Sequence, residues 1–310
     1  MPYQTQTDMN QLQKYTWLIE TIRRAGKISL EELSDKWERA IENDEGAPLP
    51  RATFNRWKDA VLDMFDIRIA CQRTGGYLYY IENPEDISQD RLKKWMLDTF
   101  AVGNLVSEHL SLRNHIMMNE IPSGQVWLTT LLSAIKEKRV LKLTYRAFYE
   151  QQSSTILIAP YCVRLFENRW YVVAYSISKG IRTYALDRFE NLETTDEKFR
   201  LPSGFTASNF FSDYYGILTD NTIPPTRIVL RANGNHKHYM NSLPLHHSQR
   251  LIEDCGEYAD FELYLAPTFD FVMKLLSMGA MIEVLEPLSL RKEMKGWISD
   301  MHKLYKTIKR

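Results

Sequence analysis

The sequence predicts an α+β protein assembled from several small modules, not one large domain. Three observations carry that expectation. The first eighty or so residues hold three stretches of helical apolar periodicity and then two short β-prone segments. The middle of the chain is a run of short aromatic and β-branched segments punctuated by turn residues. The last third alternates in the order βαββαβ and ends in a long amphipathic helix. A chain of 310 residues is long enough for two or three ordinary cores. Breaks near Asn83-Pro84 and Leu201-Pro202-Ser203-Gly204 place the expected segments at 1–82, 83–139, 140–200 and 201–310.

Composition narrows the partners. Lys and Arg number 39 against 39 Asp and Glu, so nothing favours a protein that coats nucleic acid by bulk charge. That balance still allows a small, locally basic reading head. No stretch approaches about 18 uninterrupted apolar residues, so no membrane span is expected. The amino terminus lacks the basic start and apolar core of a signal peptide. Cys71, Cys162 and Cys255 are odd in number and far apart, which suits buried free thiols in a reducing cytosol.

In the first segment Leu12, Tyr15, Leu18, Ile19 and Ile22 recur at helical spacing, with Gly26 as a stop. Ser29 and Glu32 form a capping box opening a second helix, which turns Leu33, Trp37 and Ile41 inward. A third helix runs from about Arg51 to Met64. Its apolar stripe is Phe54, Trp57 and Val61, so Ala52, Arg56 and Asp59 point away, flanked by Thr53 and Asn55. Two β segments, 67–71 and 77–81, follow around Gln72-Arg73-Thr74-Gly75-Gly76. Three helices and a hairpin in that order describe a winged helix-turn-helix. Small Ala52 lets the third helix approach a DNA major groove, where Thr53, Asn55 and Arg56 can bond base edges. Arg51, Lys58 and Arg73 suit phosphates. Residues 1–81 hold 11 basic against 12 acidic residues, whereas Arg51 to Arg73 holds 5 against 3. Positive charge is thus concentrated where reading occurs, but weakly, so a homodimer on an inverted repeat is expected. A winged helix used only for protein contact is the alternative.

The second segment is expected to be a helical connector. Ser88 can cap a helix whose stripe is Leu92, Trp95, Met96, Val102, Leu105, Val106 and Leu110, and another helix spans 126–138 after the bend at Pro122-Ser123-Gly124. Strands are expected at 140–146, 155–159, 162–166, a hairpin from Trp170 to Leu186, and 191–195. Short strands so closely spaced suit a small barrel. The hairpin is the most informative stretch. Alternation puts Arg182, Tyr184, Leu186 and Arg188 on one strand face, with the two arginines about 20 Å apart if the strand is flat.

Arg169-Trp170-Tyr171-Val172 followed by Arg182-x-Tyr184-x-Leu186-Asp187-Arg188 resembles the signature of the WYL family of bacterial transcriptional regulators, with Val172 where the third letter is usually Leu. The resemblance implies an Sm-like β-barrel sensor carrying a DNA-binding head. It also implies a ligand groove, to which Tyr145, Tyr171, Arg182, Tyr184 and Arg188 are assigned here. Pro160-Tyr161 resembles the family's proline after the second strand. Ser153-Ser154-Thr155-Ile156 stands where many members carry an arginine, so one basic contact of that groove is missing. Trp170 reads as barrel core, and Asp187 as a partner that orients an arginine. Arginine pairs and aromatic rings suit phosphates and stacked bases, so the implied effector is a nucleotide or, given the arginine spacing, an oligonucleotide.

The fourth segment reads as a ferredoxin-like module. Its strands lie at 226–231, near 251, at 261–265 and at 281–285; one helix lies near His236 and another is capped by Thr268. Met294, Trp297, Ile298, Met301, Leu304, Tyr305 and Ile308 share one stripe of the last helix. Asn209-Phe210-Phe211, Gly216-Ile217 and the run from Leu243 to Gln249 resemble the carboxy-terminal extension of WYL regulators. Neither His236-x-His238 nor His246-His247 has an acid or thiol at ligand spacing, so no metal is expected. No G-x-S-x-G, P-loop, G-x-G-x-x-G or H-E-x-x-H is present, so the reading assigns no catalytic residue and no cofactor. Two alternatives to a ligand-responsive regulator stay open: a scaffold that does not bind DNA, and an enzyme acting on nucleotides in the barrel groove.

Overall fold

The computed structural model describes residues 3–40, 42–43, 45–82, 84–85, 91–108, 114–115, 117 and 124–306. The chain divides into two compact units, Met1–Asn119 and Glu120–Arg310. Ile41, Ser88, Leu110 and Ile308 lie outside the described residues.

In the first unit, helices α1 (Tyr3–Ala25), α2 (Leu30–Glu38) and α3 (Arg51–Phe65) precede a hairpin of β1 (Ile69–Gln72) and β2 (Leu78–Ile81). This is the winged helix-turn-helix order. Leu18, Ile19, Ile22, Leu33 and Phe54 are fully buried together, and Trp37 packs edge-on against both Trp17 and Trp57 at 4.9 Å. The Ser29–Glu32 capping box forms in both directions, with Glu32 N donating to Ser29 Oγ and Ser29 N to the Glu32 carboxylate. An isolated antiparallel bridge ties Ile28 to Tyr79 of β2. Helix α4 (Arg91–Glu108) packs on α1 and turns Leu97 into the same core. The expected stripe on α4 is therefore rotated: Trp95 and Val102 are exposed, and Leu97 takes the inward place because the face that meets α1 decides burial.

The second unit opens with a 3-10 turn (Gln125–Trp127) and α5 (Leu128–Glu137), which lays Leu131 and Ala134 on a five-stranded antiparallel sheet. Its strands are β3 (Arg139–Tyr145), β4 (Ser154–Phe166), β5 (Arg169–Ser176), β6 (Gly180–Ala185) and β7 (Phe189–Lys198), in the order β6-β5-β4-β3-β7. The two strands expected at 155–159 and 162–166 are one. Its first half pairs with β3 and its second half with β5, and a bulge after Pro160 absorbs the missing N–H where the partner changes. Among the described residues no ladder joins β6 to β7, and a 3-10 turn (Leu186–Arg188) spans that gap, so this Sm-like barrel is partly open. Leu141, Leu143, Ile158, Val172 and Ala174 fill it, with Trp170 packed at its margin.

The strap from 199 to 225 carries α6 (Ala207–Phe211). Then come β8 (Thr226–Asn233), α7 (His236–Ser242), β9 (Arg250–Asp254), β10 (Tyr258–Leu265), α8 (Phe269–Ser277), β11 (Ile282–Glu286) and α9 (Leu288–Lys306). The sheet order β11-β8-β10-β9 is the ferredoxin-like arrangement. Only Leu290 and Met294 of the α9 stripe are buried; Trp297, Ile298, Met301, Leu304 and Tyr305 are exposed, and Trp297 touches Phe269.

Candidate functional site

The chemistry gathers in two places, the outer face of α3 and a groove in the barrel wall. At about 100° per residue, burial of Phe54, Trp57, Val61 and Phe65 turns Ala52, Arg56, Asp59 and Asp63 straight out. Asn55 lies beside them and is exposed. Arg51 and Lys58 lie along one flank and Thr53 along the other; Thr53 and Lys58 are half-buried. Polar donors thus occupy the first two turns, and the outward acids the later ones. Arg73 is exposed just past β1. The wing loop there is held by Gln72, which donates to Thr74 O and accepts from Lys27 Nζ at 2.7 Å.

In the barrel, the expected arginine pair separates. Strand β6 ends at Ala185, so strand alternation does not reach Arg188, which sits in the 3-10 turn. This corrects the single strand face expected for Arg182 through Arg188: the turn resets the direction of every later side chain. Arg188 and Arg182 consequently line different cavities.

The Arg188 cavity has a volume of about 340 Å³ and is walled by Arg146, Phe148, Glu150, Asp187, Phe189 and Glu190. The Arg188 guanidinium lies 3.5 Å over the Phe148 ring centroid, and Nη1 donates to Tyr145 Oη at 3.5 Å. Its Nε is buried and without a partner among the described residues. Tyr145 makes edge contacts with Tyr184 and Phe189. Asp187 pairs with Arg169 at 3.1 Å through one oxygen; the other oxygen is buried and has no partner among the described residues. The expected orienting role of Asp187 therefore falls on Arg169. The turn that carries Asp187 and Arg188 needs Gly124 beneath it: a Cβ there would stand 2.7 Å from Leu186, and φ is +90°.

Tyr145, Tyr184 and Arg188 thus come together, and Arg182 and Tyr171 do not join them. Tyr184 is core, 5% exposed, and burial raises its phenol above the ordinary value. Tyr171 lies on β5 opposite Arg164 and Ala185, on the face away from Val172 and Ala174. Phe148 and Arg146, absent from the sequence reading, belong to the groove. Their signal was a charged residue and an aromatic pair, Arg146 and Phe148-Tyr149, immediately after a strand end.

Head, barrel and carboxy-terminal module define a modular α+β protein in which a winged helix precedes a small barrel. Residues 126–194 match the WYL domain and residues 224–301 match the WCX domain. Among solved structures, proteasome accessory factor B/C (PafBC) of Arthrobacter aurescens is similar at 21% identity over 62% of this chain and 29% of that one, with a TM-score of 0.26. The chain therefore spans under a third of that protein's length. A CRISPR Cas-related protein is similar at 11% identity over 95% of this chain and 85% of that one, with a TM-score of 0.38. No curated protein matches the sequence.

No helix among the described residues is long and apolar enough to cross a membrane. Cys71 and Cys255 are exposed, so of the three thiols only Cys162 is buried as expected.

Proposed function

We propose that the protein is a cytoplasmic DNA-binding transcriptional regulator whose barrel groove senses a nucleotide or oligonucleotide and alters operator binding. The observation that carries the reading is the division of α3 into a buried apolar row and an outward row of Ala52, Asn55 and Arg56 beside a wing bearing Arg73. In this reading Thr53, Asn55 and Arg56 meet base edges, and Arg51, Lys58 and Arg73 meet phosphates. Asp59 and Asp63 repel the DNA backbone, so the amino-terminal half of α3 does the reading. A head so nearly neutral works as a homodimer on an inverted repeat. Segment 1–82 is then the head, 83–139 the connector, 140–200 the sensor and 201–310 the linker and extension.

At the groove, Arg188 offers a guanidinium fork for one phosphate, and the exposed Phe148 offers a stacking face for one base. Glu150, Asp187 and Glu190 outnumber Arg146 and Arg188 there, which disfavours a clustered polyphosphate. A short single strand, presenting its phosphates one at a time, fits better.

The test is a gel shift of the full chain against DNA upstream of its own gene, with and without short oligonucleotides. Arg56→Ala should weaken specific binding by about 1–3 kcal/mol. Lys58→Ala should weaken all sequences alike and reduce the salt slope by about 1. Arg188→Ala should keep operator binding and lose the response to oligonucleotide. Absence of any shift at low salt would end the DNA reading, and a monomer on DNA by sedimentation would end the dimer.

A further inference from the structure

The second cavity, about 700 Å³, lies where the strap joins the barrel to the carboxy-terminal module. Ile181 and Arg182 enter it from β6, Phe210 from α6, the run from Leu218 to Ile223 from the strap, and Thr268 and Phe269 from the start of α8. Its volume is that of an ordinary small-molecule site.

One wall is fixed before any ligand arrives. Arg164 donates to Gly216 O at 2.7 Å and Tyr215 O at 3.0 Å, and Thr183 Oγ1 donates to Ile217 O. From the opposite side, one oxygen of Asp270 accepts Ile217 N at 2.7 Å and Leu218 N at 2.9 Å. Gly216 has no room for a side chain, since a Cβ would stand 2.1 Å from that carboxylate.

Two polar groups in the cavity lack the partners their positions call for. Thr268 is 2% exposed and occupies the N-cap position of α8, yet its hydroxyl caps nothing and has no partner among the described residues. A buried hydroxyl left without a partner is costly, so such groups normally meet water or ligand. Among the described residues Arg182 donates to the carbonyl of its own neighbour, Ile181, and forms no ion pair. Asn221 accepts from Tyr214 Oη through Oδ1, which leaves its amide N–H groups to donate.

The rest of the lining selects the ligand. Phe210, Phe269, Ile181, Leu218 and Ile223 suit a flat apolar body. Asp220, its carboxylate held by Thr222 N and Oγ1, puts a negative charge at the same wall and opposes a dianion. We propose that this cavity binds a small carboxylic acid with a flat apolar body, its carboxylate on Arg182 and its edge against Thr268 and Asn221. The site is separate from the Arg188 groove. Because its wall is the strap clamped by Arg164 and Asp270, occupancy is felt by both the barrel and the carboxy-terminal module.

The experiment is calorimetric titration of the full chain with 2-naphthoate, using 2-naphthalenemethanol as the neutral analogue and 1-naphthyl phosphate as the dianion. Naphthoate should bind at least about tenfold more tightly than either, a difference of about 1.4 kcal/mol. Arg182→Ala should erase the preference for the acid, and Thr268→Val should weaken it several-fold. Ile223→Trp, which narrows the cavity beside Arg182, should weaken all three. Binding that survives Arg188→Ala places the probe outside the barrel groove. The proposal is overturned if naphthoate gives no heat at millimolar concentration, if Arg182→Ala leaves the preference intact, or if Arg188→Ala removes binding.

Discussion

Arg182 and Arg188 stand six residues apart in one hairpin and end in unlike surroundings. Arg188 is half-buried, stacked on Phe148 and bonded to Tyr145, in a turn that rests on Gly124. Arg182 is exposed and held only by its neighbour's carbonyl, at the edge of a seam organised by Arg164 and Asp270. The first arginine is braced by aromatic side chains of the barrel, and the second is held by its own backbone. Residue type and spacing therefore say little about an arginine's role until the backbone between the two is known.

The comparison breaks most severely at Gly124. Gly124→Ala combines a positive φ with a Cβ driven into Leu186 and Asp187, and should cost about 3–4 kcal/mol. Urea denaturation would show the lost stability, and any folded fraction should have lost the Arg188 groove before the Arg182 cavity.

On the seam side, Arg164→Ala strands the carbonyls of Tyr215 and Gly216 and should cost about 2–3 kcal/mol. Burial lowers the Arg164 guanidinium from its ordinary value while nearby Asp270 supports its charge. Cys162, two residues earlier on β4, reports the result. Burial pushes its thiol up to about 11, so it should label far more slowly than exposed Cys71 and Cys255 at pH 8. Arg164→Ala should speed that labelling; an unchanged rate would mean that the seam stays closed without the guanidinium.

The smallest effects compare the arginines directly. Arg188→Ala loses the ring contact and the Tyr145 bond but also removes an unpartnered buried N–H, for a net cost of about 0.5–1 kcal/mol. Arg182→Ala should change stability by less than about 0.5 kcal/mol. Equal costs in urea midpoints would deny the difference between the two sites.

Much of this was legible in the residues. The Ser29–Glu32 box, the buried row of α3 and the βαββαβ order of the last module rest on local spacing, and local spacing survives folding.

What failed was wherever a local rule met a break it could not see. Alternation was carried through Leu186 into Arg188, but a 3-10 turn advances direction differently from a strand. Pro160 suggested the end of a strand, but a bulge let β4 pass from β3 to β5. On α4, Trp95 and Leu97 are both apolar, and only contact with α1 chose Leu97. The sequence by itself determined the modules, their order and the outward face of α3, because these follow from periodicity and capping within a few residues. Only the tertiary structure decided which arginine meets Phe148, which carbonyls Arg164 holds and that the Thr268 hydroxyl has no partner among the described residues. Those depend on groups 40 or more positions apart, brought together by sheet pairing and by the strap, and no local pattern encodes that distance.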